Sequence, residues 1–342
     1  MVGEGILTLT RVHTYTGPTH LHNGTVILGT GGSIETSSEV VLFQNYGYPI
    51  FNISAGNKKI KNLNGFADTK VILGARTLTI GTEGEEDGGG VFQGVISGEG
   101  GSIIKTGKLQ LGLTGANIYT GKTTINEGYL FIGWATETGS LASTVIENNS
   151  WLGFARTNDY IYEGVISGTG SVITDRGGTI TLNGVNTYTG ETTINRNGSL
   201  VLGSSGSIEG SSSVKLSGGD GVKFDISAGD KKIKNLSGVT SSQVILGSRT
   251  LTIGTSGQND GGGDYSGGIS GTGGITKTGA DNLTLSGANT ATGALTLKQG
   301  KLTIANGWKG DFSKDPDTGL AIQGVVNIGG SFTLRAAIFI WI

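Results

Sequence analysis

Three groupings of side chains in this 342-residue sequence could do chemistry. All three histidines fall between residues 13 and 22, and His20-Leu21-His22 puts two imidazoles on one face of an extended strand, a spacing able to hold a transition metal. The run Glu83-Gly84-Glu85-Glu86-Asp87 gathers carboxylates in a glycine-rich segment, the donor type that calcium takes. Asp159 with Glu163, and Asp220 with Asp225, are paired acids of the kind used in general acid–base work. Cysteine is absent, which removes disulfides, thiolate catalysis and cysteine-ligated zinc together. A formal charge of −2 offers no clustered positive field, so neither nucleic acid nor an anionic membrane is an expected partner.

What positions these groups is set by composition. Gly, Thr, Ser and Asn supply 159 residues, and a helix interior disfavours Gly by about 1 kcal/mol and gains nothing from the others, so the chain is expected to be all-β. Apolar residues at 35% and only three prolines argue for a packed chain over a disordered one. No apolar run approaches the roughly 20 residues of a membrane-spanning helix, and no basic-then-apolar leader follows Met1, so no membrane insertion by this segment is expected.

Internal repetition is the main signal. One cluster occurs four times, as His13-Thr14-Tyr15-Thr16-Gly17, Asn117-Ile118-Tyr119-Thr120-Gly121, Asn186-Thr187-Tyr188-Thr189-Gly190 and Asn289-Thr290-Ala291-Thr292-Gly293. Long and short units alternate, and residues 53–82 match 226–255 at 22 of 30 positions, the mark of a tandem duplication. Short alternating runs such as Thr179-Ile180-Thr181-Leu182 and Asn282-Leu283-Thr284-Leu285 read as half-buried strands. Leu109 to Leu130, 21 residues, reads as one circuit of a coil. A coil of three short strands cannot bury its apolar face alone, whereas stacking coils at ~4.8 Å buries one column and pairs every ladder except at the ends. An antiparallel sandwich or barrel also uses short strands and glycine turns, but has no reason to repeat the same residues at these intervals. A parallel β-solenoid of about fifteen coils is therefore expected, as one elongated domain over residues 1–330.

The repeats also test the candidate chemistry. His13 stands where other copies have Asn117, Asn186 and Asn289, His20 where they have Thr124, Thr193 and Thr296, and His22 where they have Asn126, Asn195 and Lys298, so the histidines read as exposed polar positions and not as a metal site. The duplicate of the acidic run keeps only Asp260 in place of Asp87, so both read as solvated loops. Asn117, Asn186 and Asn289 are expected at turns, where Asn tolerates left-handed backbone and its amide can bridge neighbouring backbone groups, with Gly121, Gly190 and Gly293 closing them. Trp134 and Trp151, with Tyr160 and Tyr162, could stack on sugar rings, although filling the ends of the column is their plainer role.

The order Gly94-Val95-Ile96-Ser97-Gly98, Lys105-Thr106-Gly107, Leu109-Gln110-Leu111, Gly115-Ala116-Asn117-Ile118-Tyr119-Thr120-Gly121, Thr123-Thr124-Ile125-Asn126 recurs at 164–202 and 268–304 and begins midway at Gly3. It resembles the autotransporter-associated β-strand repeat, or passenger-associated transport repeat. The resemblance implies a right-handed parallel β-helix in the surface passenger of a type V secreted protein, with an outer-membrane β-barrel translocator as partner and extracellular, cell-surface localisation. It identifies a scaffold and no catalytic residue, so no enzyme activity, metal or cofactor is expected. The lack of a leader or of barrel strands suggests a passenger fragment, and residues 331–342, which lose the Gly/Thr character, read as a truncated coil or artefact. The expected function is a non-enzymatic stalk that aids its own secretion and supports adhesion to a host or glycan surface. The alternatives are a secreted polysaccharide-active enzyme, since pectate lyases and polygalacturonases share the architecture, and a carbohydrate-binding adhesin.

Overall fold

The computed structural model describes residues 4–306 and 308–310 and the backbone of the strand Val325–Ile328; the tail at 331–342 lies outside the described residues. Among the described residues the regular elements are all short β-strands and no helix occurs. Their side chains alternate as the sequence pattern requires: Thr25–Leu28 reads intermediate, buried, intermediate, buried, and Thr179–Leu182 and Ser199–Leu202 do the same. Strand pairs are parallel and joined by a full circuit of the chain, giving a right-handed β-solenoid of about 15 turns. Circuits vary in length. Gln110 lies opposite Tyr129, 19 residues on, while Gly65 lies opposite Phe92, 27 residues on, because that coil carries the acidic loop. Leu109 does not anchor a circuit as its spacing suggested. The strand starts at Gln110, Leu111 and Leu113 take the inward phase, and Leu109 is left 41% exposed.

The chain forms two compact units, Met1–Val172 and Ile173–Ile342. In the first, strands stack in three sheets: one runs from Ile6–Leu9 to Val95–Ser97, one from Thr19–Leu21 to Trp151–Arg156, and one from Lys58–Ile60 to Val165–Ser167. In the second, the stacks include Thr179–Leu182 to Gly268–Gly271, Thr192–Asn195 to Lys301–Ile304, and Lys231–Ile233 to Leu295–Leu297.

The interior consists of rows in which each coil sets one side chain on the next. In the first unit Leu21, Leu42, Gly65, Phe92, Leu113, Ile132 and Phe154 follow one another in register. In the second, Ile194, Leu216, Gly238, Tyr265, Leu285 and Ile304 do so. All the named apolar side chains are fully buried. The glycines make room for the rings. A Cβ at Gly65 would stand 2.6 Å from Phe92, and one at Gly238 2.8 Å from Tyr265. Each buried aliphatic or aromatic side chain contributes about 1.5–3 kcal/mol.

Candidate functional site

The recurring cluster bonds one coil to the next. Asn117 is 1% exposed; its Oδ1 accepts from Ile96 N at 3.0 Å on the preceding coil, and its Nδ2 donates to Gly115 O at 3.0 Å on its own coil and to Ser140 O at 3.3 Å on the following one. Asn186 donates equally to Gly184 O and Ser207 O, at 2.8 and 3.1 Å. Asn289 is as buried, but its amide has no partner among the described residues. None of the three has left-handed backbone. The left-handed backbone is thus not used, while the amides of Asn117 and Asn186 do bridge neighbouring backbone groups, as a side chain that both donates and accepts can. Gly121 and Gly293 also keep negative φ; their need is space, since a Cβ would overlap Gly101 O in one case and Gly273 O in the other. Gly190 gives its carbonyl to Ser211 Oγ at 2.9 Å. Between these residues Tyr119 and Tyr188, both fully buried, share hydrogen bonds of 2.7 and 2.6 Å with Thr123 and Thr192. Burial raises both phenol pKa values.

Sequence reasoning missed a set of inward-facing cations. Lys105 is fully buried, and its Nζ donates to Thr106 O and Gly107 O, each at 2.7 Å, and to Glu127 O at 3.1 Å. Lys277 repeats this on Thr278 O, Gly279 O and Gln299 O. An ammonium has three donors, and each of these is used on a carbonyl at a tight turn. Burial pulls both pKa values down to about 8, opposed by Asp87 and Glu127 around Lys105 and by Asp281 and Asp260 around Lys277. Lys58 caps another turn through Gly29 O, Thr30 O and Gly32 O, and Lys231 its duplicate through Gly203 O, Ser204 O and Gly206 O. The signal was present: in Ser102-Ile103-Ile104-Lys105 the lysine shares the inward phase of Ile103.

The acids are used locally. Asp87 and Asp260, the pair retained between copies, are buried, and each accepts a 2.6 Å bond from a loop amide, Thr82 N and Thr255 N. Glu83, Glu85 and Glu86 point to solvent. Asp225 accepts from Ser227 N at 2.7 Å, as Asn52 does from Ser54 N, while Asp159, Glu163 and Asp220 are exposed. Among the described residues no three His, Asp or Glu side chains converge as metal ligands. The histidines do not all occupy surface positions. His13 and His22 are half-buried and His20 is exposed; His22 stacks on Phe43 at 4.6 Å, with its Nδ1 buried and unpaired among the described residues.

Aromatic rings do gather on the outside of the first unit. Trp134 and Trp151, each 37% exposed, do not fill the column. Trp151 stacks on Tyr129 at 5.5 Å, Tyr129 on Phe131 at 6.0 Å, and Trp134 meets Phe131 edge-on at 5.0 Å. Tyr162 is buried and donates to Ser143 O, and Tyr160 Oη accepts from Leu141 N at 3.2 Å. Next to Trp134 a groove of 990 Å³ is lined by Tyr48, Asp68, Gln93, Thr114 and Thr136.

The profile of the passenger-associated-transport-repeat family matches residues 2–28, 103–130, 177–202 and 275–304. Over 104 residues the chain is 38% identical to the adhesin BmaC autotransporter of Brucella suis biovar 1 (strain 1330), which covers 28% of this chain and 3% of that protein. No solved structure matches. The matched segments hold the Tyr119, Tyr188, Lys105 and Lys277 bonds described above, so the bonds that hold the coils lie where the chain is similar to the passenger-associated-transport repeat.

Proposed function

We propose that the chain is a non-enzymatic passenger scaffold, displayed at a bacterial surface after export through an outer-membrane β-barrel translocator, and that its coils support adhesion. The observation that carries this reading is where the repeat uses its distinctive polar groups. Asn117, Tyr119 and Lys105 all spend their polar atoms inside the stack, Asn117 and Lys105 in part on a neighbouring coil and Tyr119 on Thr123, and present nothing reactive outward. Among the residues lining the groove Asp68 is the one carboxylate, which leaves no acid pair for glycoside chemistry. The adhesin name of the relative supports the adhesive part. Stepwise folding aids secretion because each coil that docks outside takes apolar side chains out of water, which biases the thread against sliding back. The test is surface display of the full-length parent protein carrying Lys105→Met and Lys277→Met together, read by protease accessibility on whole cells. Display is expected to fall several-fold. Undiminished display of a passenger that circular dichroism shows to be unfolded would overturn the proposal.

A further inference from the structure

Three of the repeats leave a strand through a glycine and return through Gly-Ser, but with unequal loops. Gly29 to Gly32 and Gly203 to Gly206 each enclose two residues, while Gly133 to Gly139 encloses five, from Trp134 to Thr138. The longer loop makes a bulge between Ile132 and Thr136, with Ala135 at φ 56°, a left-handed backbone that L side chains rarely adopt. The cap is enlarged to match. Where Lys58 and Lys231 hold the short loops, buried Arg156 donates to Gly139 O, to Glu137 O at 2.6 Å and to Asn158 Oδ1, and lies 4.9 Å over the Tyr160 ring. Trp134 is thereby fixed above Gly112, where a Cβ would come within 2.8 Å of its ring. A scaffold alone does not call for such a loop, and the strained, capped bulge raises one flat indole at the wall of the 990 Å³ groove.

We infer that this groove is a binding site for a neutral oligosaccharide, a deepening that rests on the adhesive part of the proposed function. The indole offers a face for the C–H side of a pyranose ring, and Gln93, Thr114, Thr136 and Thr138 offer amide and hydroxyl partners for its hydroxyls. Asp68 and Lys70 offset each other, and the Arg156 guanidinium keeps its charge but spends its donors on Glu137 O, Gly139 O and Asn158 Oδ1, so no free bidentate fork faces an anionic ligand. A strand-adding peptide needs an open sheet edge, whereas this groove lies on a sheet face whose backbone is paired on both sides through Val91, Gly112 and Phe131. The duplicate lacks the features: Thr284, Thr303, Ser266 and Ser286 occupy the register positions of Gly112, Phe131, Gln93 and Thr114.

The experiment is a titration of the chain with cellohexaose, chitohexaose and maltohexaose, followed by tryptophan fluorescence and calorimetry, alongside Trp134→Ala, Gln93→Ala and Trp151→Ala. At least one hexasaccharide is expected to bind, with affinity falling about tenfold or more in Trp134→Ala, less in Gln93→Ala and little in Trp151→Ala, at unchanged melting temperature. Binding by none of the three, binding indifferent to Trp134, or binding only of a peptide library or of heparin would overturn the inference. Loss of binding with normal surface display leaves the scaffold reading intact, and loss of display with normal binding leaves the groove intact.

Discussion

Tyr129, Phe131, Phe43 and Phe66 in the first unit stand at the register positions held by Lys301, Thr303, Ser217 and Val239 in the second. Inside, Lys105 and Lys277 make matching sets of bonds, Asp87 and Asp260 close matching loops, and Gly65 and Gly238 admit matching rings, whereas buried Ala291 stands where Tyr119 does and, among the described residues, Asn289 lacks the amide bonds of Asn117. The duplicated halves have thus kept most of their inward rows, with Tyr119 against Ala291 as an exception, and have diverged on one outward face. The difference teaches that stacking fixes inward positions tightly, since a change there strands a carbonyl or overfills a row, while outward positions are free to be used for contact.

The largest effect that would break this comparison lies at the lysine caps. Lys105→Met and Lys277→Met should each destabilise by about 3 kcal/mol, leaving three carbonyls unpaired, and by the same amount in both units. Chemical denaturation measures this, and a clear inequality would show that the inward frames are not equivalent. Gly65→Ala and Gly238→Ala should each cost about 2 kcal/mol, because Phe92 or Tyr265 must leave its place, with melting temperature as the readout. Tyr119→Phe and Tyr188→Phe should lose about 1 kcal/mol apiece with their hydrogen bonds to Thr123 and Thr192.

A pH dependence sharpens the same point. Lys105 and Lys277 have pKa values of about 8 when folded and 10.5 when unfolded, so between pH 8 and 10.5 the unfolded chain binds more protons and the stability these two groups contribute rises with pH. Denaturation midpoints across that window should show the slope, and it should shrink in the Lys→Met variants. The smallest effect is expected outside: Phe131→Thr and its reverse, Thr303→Phe, should each change stability by about 0.5 kcal/mol or less, while binding of a hydrophobic dye falls in the first and rises in the second.

The solenoid was legible in the sequence because its two causes are local and repeated: alternation sets which side of a strand faces inward, and recurrence of the Asn-x-Tyr-Thr-Gly cluster sets like on like. That the Asn117 amide bridges backbone groups was legible from its chemistry, but not which ones, since Ile96 and Ser140 are near it only once the coils are stacked. Lys105 was passed over because charge argues for solvent, although its phase argued otherwise. Trp134 was singled out by its ring chemistry, but the loop that presents it becomes visible only when the spacing of Gly133 and Gly139 is set against that of Gly29 and Gly32.

The pairing of Gly65 with Phe92, and of Gly238 with Tyr265, also bears on how such a chain can change length. Removing or adding a single coil would set one of these rings against a leucine and open a void under the other glycine. Unequal recombination between the near-identical stretches 53–82 and 226–255 avoids this, because it gains or loses one whole 173-residue step and returns every glycine to its ring. Length variants of this gene are therefore expected to differ by multiples of that step.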